Sequence, residues 1–359
     1  MTAPASERVG GVAQYFRSLR PHWKGPVEYL EVGSRASGEG MWNVARRLTR
    51  DTWKFVQVVR GNQIDVVHVN PSLGAKAALR DGLLLMAARA MGRRTIVFIH
   101  GWDSRFETAV GSRFRRPFAW AINHADICVV LGKCFVPRLR ALGYRKEILT
   151  AGAPVDDELL REAAVFEPVN RSGGDFTLLF LARLERDKGI YEAIETYRAL
   201  RPRYPALRMI VAGTGTEFEN VRRLGREQGI TVTGHVEGKT KCAMFRMADA
   251  YLFPSHHEGL PISVLEAMAF GLPVVTSRVG GLPDFFEDGK MGFMALSRSP
   301  AEFASLIEPL ITDRAWAQRI GIFNRQYARE HFSGASIAAE LEEIYAAVAG
   351  GSDRAVLSA

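Results

Sequence analysis

Cysteine is scarce in this chain: three residues, Cys128, Cys134 and Cys242, with no Cys-x-x-Cys pair among 359 residues. So few and so scattered, they exclude a disulfide framework, and a reduced, cytoplasmic setting fits best. Long apolar runs are also missing. The most apolar stretch, residues 83–88, is cut short by Arg89, far below the roughly 20 residues that a membrane span needs. Residues 1–10 lack a basic start followed by an apolar run, so no signal peptide is expected. Neither a Gly-x-Gly-x-x-Gly after a first strand nor an Asp-x-Asp pair occurs, which excludes a dinucleotide fingerprint and that metal motif.

What is present is the composition of a soluble globular protein, 47% hydrophobic and 24% charged, long enough for two domains. The formal net charge of +8 is unevenly spread. Residues 1–168 hold 25 Lys and Arg against 16 Asp and Glu, whereas residues 169–359 hold 22 against 23. A half so basic is drawn to anionic lipid or to a polyanionic substrate, unless it is simply a solvated basic surface. Two segments interleave basic and aromatic residues, 41–55 and 113–120, as headgroup-facing or amphipathic core helices do. No nucleic-acid partner is expected.

Short apolar runs, each followed by helical periodicity, predict strands at 27–32, 65–69, 95–99, 127–131 and 147–149. A second series follows at 176–181, 208–212, 230–233, 250–253 and 273–276. Strands alternating with helices predict two parallel α/β sheets wound on both faces, that is, two Rossmann-like domains. The break between the series, rich in Gly, Pro and acidic residues, places the domains at 1–168 and 169–334. Residues 335–348 read as an amphipathic helix and 349–359 as a disordered tail. No apolar strand is legible in residues 1–10, although Gly10-Gly11-Val12 looks like the turn that follows one; either that strand is degenerate or it lies upstream.

The most specific signal is Pro254-Ser255-His256-His257-Glu258-Gly259-Leu260-Pro261-Ile262-Ser263-Val264-Leu265-Glu266. A turn feeding a helix N-terminus leaves backbone N–H groups free for an anion or for hydroxyls. Two carboxylates, Glu258 and Glu266, flank it about two helical turns apart and can each grip a vicinal diol. The plainer alternative is a helix-start carboxylate and a solvent-facing one. Arg183 and Lys188, five residues apart in a strand-to-helix loop, can neutralise a diphosphate through a planar fork and a mobile point charge, or be an ordinary solvated pair. His256, His257 and Glu258 are adjacent and point apart, so a shared metal is not expected.

The Glu-x7-Glu element, followed by Ala267 to Val275, resembles the donor-binding signature of retaining GT-B glycosyltransferases of family GT4. Residues 181–189, Ala212-Gly213-Thr214-Gly215, Gly234-His235-Val236 and Val279-Gly280-Gly281-Leu282-Pro283-Asp284 resemble the other parts of that pattern, in the same order. Ala182 stands where the family has Gly. The resemblance is dense over 176–348 and sparse before it. It implies a GT-B fold, two Rossmann-like domains facing each other across a cleft, with the final helix crossing back to the first domain. It also implies donor contacts at Gly11, Arg183, Lys188, Gly213, Val236, Glu258, Gly259, Leu260, Pro261, Ile262 and Glu266. His100, in the strand-end Ile99-His100-Gly101-Trp102, matches the family's His-Gly element, whose His contacts the donor sugar; the bland alternative is a packing histidine. Catalysis would then rest on His100, Glu258, Arg183 and Lys188. Asn70, Ser72 and Trp102, on the same sheet edge, are acceptor-side candidates.

The expected activity is metal-independent and cofactor-free transfer, with retention, of a hexose-type sugar from a nucleoside diphosphate, uridine before guanosine. The acceptor would be a saccharide, lipid-linked, of a cell-surface or extracellular polysaccharide, and the enzyme would meet the cytoplasmic membrane face peripherally. Two other readings stay open: a GT-B epimerase using Asp103, and a non-catalytic sugar-nucleotide-binding protein.

Overall fold

The computed structural model describes residues 1–3, 11–32, 41–71, 75–101, 115–166 and 175–350. The chain forms two compact α/β units, one of residues 1–153 together with the segment from Gly334, the other of residues 154–333.

In the first unit, β1 (Thr2–Ala3) pairs in parallel with β2 (Leu30–Glu31). Between them run α1 (Gly11–Leu19) and a short 3-10 turn at Arg20–His22. After α2 (Met41–Gly61) come β3 (Val66–Val69), α3 (Ala75–Ala90), β4 (Arg94–Ile99), α4 (Arg115–Ile122), β5 (Ile127–Val130), α5 (Phe135–Ala141) and β6 (Glu147–Thr150). The last four strands form one parallel sheet in the order β3-β4-β5-β6. A first strand does exist, then, but it is two residues long; its short pairing is why no apolar run announces it.

The second unit opens with α6 (Asp157–Ala164), capped by the Asp156 carboxylate, which accepts from the Glu158 amide. There follow β7 (Phe176–Leu181), α7 (Ile190–Leu200), β8 (Leu207–Ala212), α8 (Phe218–Gln228), β9 (Thr231–Gly234), α9 (Gly238–Met247) and β10 (Ala250–Phe253). The unit is completed by α10 (Ile262–Ala269), β11 (Val274–Ser277), β12 (Gly292–Ala295), α11 (Pro300–Thr312) and α12 (Arg314–His331). Its six strands are all parallel, in the order β12-β11-β10-β7-β8-β9. Leu178, Leu179 and Phe180 are all fully buried, so both faces of the central strand are covered, as a continuous apolar run demands. β12 was not foreseen, because Gly292-Phe293-Met294-Ala295 opens on a glycine just behind the turn residues Glu287-Asp288-Gly289, which hides the apolar run.

The unit boundary lies after Ala153 rather than near residue 168. The reason is α6, which packs on α9 and α10 and so belongs to the second unit. The final helix, α13 (Gly334–Gly350), packs on α1, β3 and β4 of the first unit. Of the expected linker, 165–174, only Val165 and Phe166 are described, and the tail from residue 351 lies outside the described residues.

Candidate functional site

In the second unit the chain runs β7, β8, β9 to one side, then returns to place β10 on the other side of β7. Loops leaving β7 and β10 therefore diverge at the carboxyl edge of the sheet, the switch point at which open α/β sheets take ligands. The first loop carries Arg183 and Lys188; the second carries Glu258.

These loops are stacked backbone on backbone. Gly189 has φ of 75°, and a Cβ there would lie 2.0 Å from the Pro254 carbonyl oxygen. The His256 amide donates to Asp187 O at 2.8 Å, and Tyr251 OH donates to Leu181 O at 2.7 Å. The loop after β8 closes from the other side: Gly213, at φ 139°, has room for no side chain, the Ala182 carbonyl being 1.9 Å from its would-be Cβ. The Glu185 carboxylate clamps this second junction. It accepts from the Thr216 hydroxyl at 2.6 Å and the Thr216 amide at 3.2 Å, which holds its pKa below the usual carboxylate range.

On this platform Lys188 Nζ lies 2.7 Å from Glu258 Oε1, with both side chains largely buried. The Ser255 hydroxyl donates to the same oxygen at 2.9 Å, and Lys188 reaches His257 O at 3.4 Å. Glu266, 1% exposed in α10, is paired with Lys241 of α9 at 2.6 Å. Each carboxylate of the Glu-x7-Glu element is thus met by its own lysine. Sequence reasoning missed Lys241, since Gly238-Lys239-Thr240-Lys241 reads as a solvated helix start. Arg183 is exposed and has no hydrogen-bonded or ion-paired partner among the described residues. The helices that start here, α7 and α10, both lack a side-chain cap at their N-terminus, so their first N–H groups face the same edge as Lys188. Gly259, Leu260, Pro261 and Ile262 form the turn into α10, and the Gly281 amide donates to Gly259 O at 2.8 Å. Val236, half-buried, follows Gly234 at the end of β9.

In the first unit, His100 at the end of β4 stacks on Phe98, centroids 4.1 Å apart, and meets the edge of Tyr15. Its Nε2 is 2.8 Å from Asn70 Oδ1, and His68 Nε2 is 3.0 Å from the same oxygen. The Asn70 amide nitrogen donates to Thr2 O, which fixes Oδ1 as the acceptor. Both histidines must therefore carry their proton on Nε2. Burial keeps both rings neutral, lowering His100 to about 3 and His68 well below its ordinary value. His68 Nδ1 is then an acceptor, and Tyr345 of α13 donates to it at 2.7 Å. His100 keeps Nδ1 as an acceptor. Asn70, expected to face an acceptor substrate, is buried, with its amide engaged at both ends and its own N–H bonded to the Thr2 hydroxyl. Gly11 opens α1; Ser72, Trp102 and Asp103 lie outside the described residues.

A cavity of about 520 Å³ opens elsewhere in the second unit, lined by the end of α9, the loops leading into β10 and β11, and α12. Of the arginines that line it, Arg246 is held by Glu162, Arg314 by Asp249 and Arg325 by the carbonyls of Phe166 and Phe270.

The second unit matches the model for glycosyl transferases group 1 over residues 162–327, and the first matches a glycosyl transferase 4-like domain over residues 7–152. A glycogen synthase of Mycobacterium tuberculosis is 32% identical over 178 residues, 48% of this chain and 43% of that enzyme. The chain thus aligns with less than half the length of that relative. A glycosyltransferase assigned to colanic acid biosynthesis in Salmonella typhimurium, WcaL, is 28% identical over 73% of this chain and 67% of its own length. Among solved structures, Anabaena HepE in complex with UDP and glucose superposes with a TM-score of 0.66 at 19% identity, covering 89% of this chain and 85% of that one.

Proposed function

Because this chain belongs to the GT4-like glycosyltransferases of the GT-B fold, we propose that it transfers a hexose-type sugar from a nucleoside diphosphate, with UDP the first choice, to a saccharide. The observation that carries this reading is the Lys188–Glu258–Ser255 cluster at the β7/β10 switch point, between two uncapped helix N-termini, with Arg183 exposed beside it. An ammonium has three N–H donors. Lys188 directs two of them to Glu258 and His257 O, which leaves one for a phosphate oxygen. Arg183 offers the second phosphate a bidentate fork. Charge that builds on the departing diphosphate is stabilised by these two cations and by the helix ends, so the transfer needs no divalent ion. Glu258 then orients the sugar and Glu266 the ribose. His100, neutral and with Nδ1 as acceptor, takes a hydrogen bond from a sugar hydroxyl. Retention follows if the acceptor attacks the face from which the diphosphate leaves and gives up its proton to the leaving oxygen.

The acceptor in this reading is a lipid-linked saccharide of polysaccharide assembly, in keeping with the basic first half and with the relative assigned to colanic acid biosynthesis. The test is thermal unfolding with UDP, GDP, ADP, CMP or NAD, each with EDTA, on wild type and Lys188→Ala. One diphosphate at about 100 times its dissociation constant should add about 2.7 kcal/mol, and the variant should lose the gain. Stabilisation by NAD alone, or by none of the five, sinks the donor-site assignment.

A further inference from the structure

We propose that the outer face of α2 and α4 is a docking surface for an anionic phospholipid bilayer. The proposal deepens the lipid-linked acceptor reading and rests on it for its purpose. Positions 42, 46, 50, 53, 57 and 60 of α2 step by three and four residues, so they form one stripe along the helix. The side chains on it are Trp42, Arg46, Arg50, Trp53, Gln57 and Arg60, and every one is exposed. The opposite face buries Asp51, Phe55 and Val59 in the core of the unit. Trp42 is 90% exposed and Trp53 63%, with about 16 Å between them along the axis. Two indoles held in water on one basic stripe are not a solvated helix face, which would carry polar side chains there.

The neighbouring elements extend the surface. α2 packs on α3 and α3 packs on α4. Right-handed crossovers put α3 and α4 on one side of the β3-β4-β5-β6 sheet, and α2 shares their core through Phe55 and Val59, against Leu84, Leu85 and Phe118, so the three helices form one layer. α4 adds Trp120, 57% exposed, and the exposed Arg115 and Arg116. Charge of the other sign is withdrawn from this layer. Among the described residues of the three helices the only carboxylates are Asp51 and Asp81, which are 5% and 2% exposed, each beside its neighbouring arginine. Basic side chains answer lipid phosphates, and indoles settle at headgroup depth, their N–H toward water and their rings toward the acyl boundary. No helix among the described residues is long and apolar enough to cross a bilayer; the contact is therefore peripheral, along the side of α2.

The experiment is sedimentation of the full chain with vesicles of phosphatidylcholine alone or mixed with phosphatidylglycerol, at low and high salt. Wild type, Trp42→Ser/Trp53→Ser and Arg46→Glu/Arg50→Glu are compared. Binding is expected only with phosphatidylglycerol, should weaken with salt, and should fall about tenfold or more in each variant. UDP stabilisation is expected to stay unchanged in both variants, since these residues lie outside the nucleotide site; that also reports that they fold. Failure of wild type to bind anionic vesicles at low salt overturns the proposal, as does equal binding by the variants or by phosphatidylcholine alone. UDP stabilisation without vesicle binding removes the docking face alone. Vesicle binding without any nucleotide effect removes the transferase reading and leaves the docking face standing.

Discussion

At the scale of single residues, Asn70 decides the protonation of two histidines through one oxygen atom. Its amide is held by Thr2, so both imidazoles donate to it through Nε2, while burial keeps both neutral. This has a pH signature. Below about 6.5 the unfolded chain takes up protons that the folded first unit refuses, so stability falls as pH drops from there toward 3. For His100 the loss is about 1.4 kcal/mol per pH unit within that window, and His68 acts in the same direction. Thermal unfolding from pH 7.5 to 4.5 should therefore show a steeper acid loss in wild type than in His100→Gln; parallel curves would mean that His100 is not held neutral by the fold. The network was illegible beforehand. Its members are numbered 2, 68, 70, 100 and 345, and a strand-end Asn reads as ligand-facing until the residue that takes its amide is known. Glu258 with Glu266, and Arg183 with Lys188, were legible as two pairs, because each pair sits within one turn or loop. The ion pairs Lys188–Glu258 and Lys241–Glu266 were not, since they depend on how three loops stack.

At the scale of elements, the carboxyl edge of the second unit's sheet is assembled by glycines that leave no room between loops. A methyl group at Gly213 would meet the Ala182 carbonyl at 1.9 Å, in a backbone region that L side chains rarely adopt. Gly213→Ala must push the loops after β7 and β8 apart, and is expected to cost several kcal/mol. Its melting temperature should drop, and its response to UDP should drop with it. Gly11→Ala, where nothing lies within 4 Å, is the control that should melt as wild type does. Most strands were legible, because buried parallel strands are apolar runs between turns. The exceptions are β1, which is two residues long, and β12, which opens on a glycine; the pairing of both comes from neighbours rather than from their own sequence.

At the scale of the whole molecule, the two units differ in how the chain builds them. The second is one continuous stretch, whereas the first is closed by α13, which returns after residue 333. α13 buries Ile337, Ala338, Leu341, Ile344 and Val348, its Glu340 accepts from the Gly152 amide at 3.1 Å, and Tyr345 completes the histidine network. Ending the chain after Ser333 is expected to unfold the first unit and spare the second; calorimetry should then show one transition, still raised by UDP, and an intact pair of transitions would place the closing contacts elsewhere. During synthesis the consequence is an inversion of order. Residues 154–333 have everything they need to fold as soon as they emerge, while the earlier residues wait, their α1 flank uncovered, until the ribosome has made the last helix. Of the two units, the one translated earlier is thus the later to be finished, and a cell that makes it must shelter that unit for the whole time the other is being built.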